Sequence, residues 1–68
     1  MFNPNKLRKL RAEKKLSREG VARLLSDEKI YIVASSVYNW ERGSNVPGAN
    51  EVKALSVVFK KPMEYFFN

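Results

Sequence analysis

A chain with neither cysteine nor histidine must hold its fold by packing alone, because no disulfide and none of the common zinc arrangements can tie its segments together. At 68 residues that demand is severe. A single domain of this size, residues 1–68, buries only about 60% of the surface its unfolded chain exposes, so its core has to be economical. A large catalytic cleft does not fit, and the chain is expected to be no enzyme and to carry no cofactor or metal. Its longest apolar runs, "IYIVA" and "YFF", are too short to span a bilayer, and its first residues lack the apolar block of a signal peptide. A soluble protein of a reducing, cytoplasmic compartment is the expectation.

Charge narrows the range of partners. The net charge is +6, and residues 1–23 hold all of it, with eight Lys and Arg against two Glu, while the rest of the chain balances five against five. A one-sided basic field suits a polyanion. A solvated surface helix would account for the charge equally well, so the pattern along the chain has to decide.

Asn3 followed by Pro4 is a helix start, and Leu7 and Leu10 place an apolar stripe on a helix running to about Lys15. Ser17 caps a second helix, Arg18 to Leu25, with Val21, Ala22 and Leu25 on its inner face. Ser26 to Ala34 combines a cap-like Ser-Asp-Glu with the strand-favouring Ile30-Tyr31-Ile32-Val33, and reads as an irregular loop with an extended piece. A third helix, Ser35 to Arg42, puts Val37, Trp40 and Glu41 on one side and Ser35, Tyr38, Asn39 and Arg42 on the other, with Gly43 as its stop. A fourth begins near Ala49 or Asn50 with Val52, Leu55, Ser56 and Phe59, and Pro62 opens a last short helix whose Phe66 folds back into the core. The expectation is an all-α domain of five short helices.

A short helix, a turn and a second helix exposing small hydrogen-bonding residues make the minimal device for reading a DNA major groove. The stretches "LRKLRAEKKLSREGVARLL", "SSVYNWERG" with "VP" soon after, and "EVKALSVVFKKPMEYFF" resemble the Cro and phage-repressor (lambda-repressor-like, Xre-family) helix-turn-helix domains over nearly the whole chain. The resemblance implies a sequence-specific transcriptional regulator, a repressor, that binds double-stranded operator DNA as a homodimer. It implies that Ala34, Ser35, Tyr38 and Asn39 face base edges, and that Arg18, Arg42, Ser44 and Asn45 contact phosphates. Arg11 and Glu41 would form a structural ion pair between the first and third helices.

Three positions depart from the family pattern. The nine-residue turn, Ser26 to Ala34, is longer than the usual 3 to 4 residues. Val33 stands where a Ser or Thr cap is customary, leaving Ser35 as the alternative cap. Lys60 replaces a customary Gly after the fourth helix. The altered turn also supports a rival reading, a protein-interaction module that binds a partner protein through Ile30, Tyr31, Ile32, Tyr65 and Phe67. Dimerisation, in turn, is expected through Tyr65, Phe66 and Phe67. Single-strand RNA recognition is disfavoured, since no stacking platform of aromatics is evident.

Overall fold

Four α-helices and a closing 3₁₀ turn make up the computed structural model, which describes residues 1–68. They are α1 (Pro4–Glu13), α2 (Arg18–Asp27), α3 (Ala34–Arg42) and α4 (Ala49–Phe59), with the 3₁₀ turn at Met63–Phe66. Helix α3 packs against both α1 and α2, α4 packs on α2, and the 3₁₀ turn closes over α1 and α4. One core gathers Phe2, Leu7, Leu10, Val21, Leu25, Val37, Trp40, Val52, Ala54, Leu55, Phe59 and Phe66. No helix is long and apolar enough to cross a membrane.

The expected fifth helix is therefore a 3₁₀ turn. Pro62 is extended, and the backbone beyond it closes i to i+3 hydrogen bonds, Tyr65 N–H to the Pro62 carbonyl and Phe67 N–H to that of Glu64. Four residues are too few for an α-helical ladder before Phe67 becomes extended and forms an isolated antiparallel bridge with Phe2. The two termini are thereby joined: Asn3 N–H donates to the Phe66 carbonyl at 2.7 Å, and Asn68 N–H to that of Met1 at 3.1 Å. Phe66 is fully buried and stacks on Phe2, and Tyr65 is half-buried with Lys6 and Lys61 over its ring. Phe66 consequently offers no surface to a second copy, and of the three aromatics Phe67 alone is exposed.

The lengthened turn is also shorter than expected. Helix α2 continues through Ser26 and Asp27, where the Ser26 hydroxyl donates to the Arg23 carbonyl within the helix instead of capping a new one. The turn is Glu28 to Val33, six residues instead of nine. Helix α1 likewise stops at Glu13 rather than Lys15.

All four helices end in the same way. After each, one residue adopts the left-handed conformation, its N–H bonds back four-residue fashion, and the next N–H reaches the carbonyl one residue earlier still: Lys15 and Leu16, Lys29 and Ile30, Gly43 and Ser44, Lys60 and Lys61. Only Gly43 is the residue type this geometry favours; Lys15, Lys29 and Lys60 hold φ of 56°, 66° and 56°. Each left-handed lysine costs about 1 kcal/mol or more, partly offset by its charge beside the terminal carbonyls of the helix. Allowing for the greater freedom of glycine in the unfolded chain, Lys60→Gly is expected to stabilise the protein by about 0.5 kcal/mol. Thermal unfolding checks this, and a lower melting temperature for Lys60→Gly would contradict it.

Candidate nucleic-acid interface

The N-termini of α2 and α3 are set by different means. Ser17 caps α2 by accepting the Gly20 N–H at 2.9 Å. Helix α3 starts one residue before the expected Ser35, with Val33 at the cap and no side-chain hydrogen bond to the first turn. Ser35 is thus an exposed helical residue and not a cap. A valine forgoes the roughly 1 kcal/mol that a Ser, Thr, Asp or Asn supplies at such a position.

At 100° per residue, Ser35, Tyr38, Asn39 and Arg42 fall within a sector of about 100°, and Val37, Trp40 and Glu41 lie on the other side. The burial follows: Val37, Trp40 and Glu41 are buried, Ser35, Tyr38 and Arg42 exposed, and Ala34 and Asn39 half-buried at the edges. Beyond Gly43 the chain turns sharply, and the Ser44 and Asn45 N–H groups both donate to the Asn39 carbonyl, at 3.0 and 3.3 Å, leaving both residues exposed.

Glu41 points inward and is met there by charge. Arg11 on α1 donates to it with two nitrogens, Nε at 2.5 Å and Nη2 at 3.1 Å, and its Nη1 donates to the Leu16 carbonyl at 2.9 Å. The Glu41 side chain is only 3% exposed. The hydrogen bond to Glu41 holds the Arg11 guanidinium above its ordinary pKa; desolvation opposes this and the Coulombic attraction of Glu41 adds to it. A raised cationic pKa keeps the Arg11 guanidinium charged at all lower pH, so that charge is lost only on strongly alkaline titration.

A second arginine shares the carboxylate. Arg18, the first residue of α2, places Nε 3.3 Å from Glu41 Oε1, and its guanidinium lies 5.0 Å from the centre of the Tyr38 ring. Arg42 lies 5.4 Å from the same ring. Tyr38 is therefore flanked by two guanidinium groups that link the start of α2 to the outer face of α3. The Arg18 side chain keeps 39% of its surface exposed, enough to reach an anion outside. The i, i+4 spacing of Tyr38 and Arg42 is a signal in the sequence for one half of this cluster. Arg18 comes from another helix, and nothing local announces its part.

The rival partner surface fares differently. Ile30, Ile32 and Tyr65 are half-buried and pack against the core, whereas Tyr31 is 74% exposed and Phe67 lies at the terminal bridge. The five residues of that reading are thus divided between core and surface.

Residues 7–66 match the family model described as Helix-turn-helix, the Cro/C1 type. Comparison with curated proteins and with solved structures gives no match. With the match running from the first buried leucine of α1 to the last residue of the 3₁₀ turn, the chain belongs to the Cro/C1-type helix-turn-helix family of DNA-binding regulatory domains.

Proposed function

We propose that this protein binds duplex DNA sequence-selectively and acts as a transcriptional repressor, seating α3 in the major groove. The observation that carries this reading is the Arg18–Tyr38–Arg42 cluster, which sets two cations at the edge of the polar face of α3. Arg18 and Arg42, with Ser44 and Asn45, hold the phosphates, and Ala34, Ser35, Tyr38 and Asn39 meet base edges. Phosphate contacts fix position, and base contacts select sequence. Helix α3 has nine residues, about 13 Å, and so spans roughly four base pairs. A defined operator then calls for a second copy on a symmetric site.

Selection of bound fragments from random duplex DNA tests the reading: a paired, inverted half-site is expected to emerge. Two variants divide the roles. Arg18→Ala is expected to weaken binding to all sequences alike and to reduce the magnitude of the salt slope by about 1. Asn39→Ala is expected to lose about 1 to 3 kcal/mol on the selected site only, since its amide matches adenine N6 and N7. The measurement is affinity for selected and scrambled duplexes at several salt concentrations. Equal losses for Asn39→Ala on both duplexes would remove Asn39 from the readers. Absence of any salt-dependent duplex binding by the wild type would overturn the proposal in favour of a protein-binding role.

A further inference from the structure

Between α2 and α3 the side chains alternate. Ile30 and Ile32 turn inward and pack against the core, and Tyr31 and Val33 project outward, 74% and 65% exposed. That period of two is the habit of an extended chain fastened along one edge. The fastening starts at once: Lys29 turns left-handed and the Ile30 N–H bonds to the Leu25 carbonyl at 2.9 Å, tying the segment to the end of α2. The lengthened turn is thus an anchored strap that delivers Val33 to the leading end of α3.

Val33 occupies a position where Asn3 and Ser17 stabilise α1 and α2 with a side-chain oxygen, yet its side chain bonds to nothing in the first turn of α3. Its side chain is 65% exposed, and the half-buried Ala34 follows it in the chain. Resting on the reading of α3 as the helix that enters the groove, we infer that Val33 is a specificity-determining residue that packs on the 5-methyl group of a thymine. A side chain with no hydrogen-bonding atom has one partner among base edges in the major groove, and that is the thymine methyl. The strap sets the height at which Val33 meets the base, and Ala34 widens the apolar spot.

The test uses the whole chain and duplexes selected by the wild type from a random pool, with each thymine of the site replaced singly by deoxyuridine, which lacks the methyl. At one thymine per half-site the wild type is expected to lose about fourfold in affinity, the value of burying one methyl group. Val33→Ser, which restores a capping oxygen and so should fold at least as well, is expected to bind thymine and uracil equally at that position while keeping the other responses. Val57→Ser removes a valine 50% exposed on α4 and is expected to retain the wild-type profile. A Val33→Ser variant that still discriminates at that thymine, or a wild type indifferent to every replacement, overturns the assignment while leaving sequence-selective binding in place. A wild type that enriches no sequence overturns the DNA-reading role and this inference with it.

Discussion

Glu41→Ala is expected to lower the melting temperature by more than about 12 °C. Removing the carboxylate strands the Arg11 guanidinium, which loses both of its bonds to Glu41 and keeps only the one to the Leu16 carbonyl. Breaking a buried pair in this way costs about 3 to 5 kcal/mol. At roughly 0.05 to 0.15 kcal/mol per residue, a chain of 68 residues has a total stability of only about 3 to 10 kcal/mol, so one substitution brings it near the edge of folding. Each kcal/mol shifts the midpoint of so small a domain by about 4 to 8 °C. Arg18 adds little to this, because its guanidinium is more than a third exposed and its attraction is screened. Replacing both partners with apolar residues, Arg11→Met with Glu41→Leu, is expected to recover most of the loss, since no charge is then left buried. Because Arg11 is held above its ordinary pKa, its charge is constant from neutral to mildly alkaline pH. The gap between wild type and Glu41→Ala is therefore expected to stay level across that range. Circular dichroism melts at several pH values measure both points, and a shift of only a degree or two would refute the role assigned to Glu41.

The parts of this fold that were legible in the sequence are those specified within a turn or two. Asn3 and Ser17 declare helix starts, Gly43 a stop, and the spacing of Val37, Trp40 and Glu41 an inner face, because each acts on backbone or side chains three or four residues away. The left-handed lysines carry no such signal. Nothing in Lys15 or Lys29 distinguishes them from other lysines, Lys60 stands out only because the resembled family has a Gly there, and the backbone of each is imposed by the hydrogen bonds that close its helix. Ser26 misled for a related reason: a hydroxyl that often caps a new helix here bonds back into the old one. The pairing of Arg11 with Glu41 joins residues thirty apart and was legible only through resemblance to a family. The docking of Arg18 on Glu41 and Tyr38 depends on how α2 crosses α3, which no local pattern encodes.

Phe66 illustrates the same limit, and its replacement is the second large effect. The run "EYFF" reads as surplus aromatic surface, and a second copy is the obvious place to put it. The fold instead turns Phe66 into the core, fully buried and stacked on Phe2 with 6.2 Å between ring centres, with the edge of Tyr65 against it at 5.5 Å. Phe66→Ala is expected to cost about 3 to 5 kcal/mol, the range for emptying a buried phenylalanine site. The loss should exceed that figure's lower bound, because the ring that is removed also stacks on Phe2 and meets Tyr65 edge-to-face. Phe67→Ala removes an exposed ring that meets Phe2 edge-on, and is expected to cost about 1 kcal/mol. Protein concentration separates packing within one chain from packing between two. A ring buried within its own chain stabilises it equally at all dilutions, whereas one buried between copies lends stability that grows with concentration. Urea unfolding of the wild type, Phe66→Ala and Phe67→Ala at protein concentrations a hundredfold apart is the measurement. The Phe66→Ala deficit is expected to be the same at both; a deficit that vanished on dilution would place Phe66 between two copies, and would mean that the join of the termini opens when they assemble.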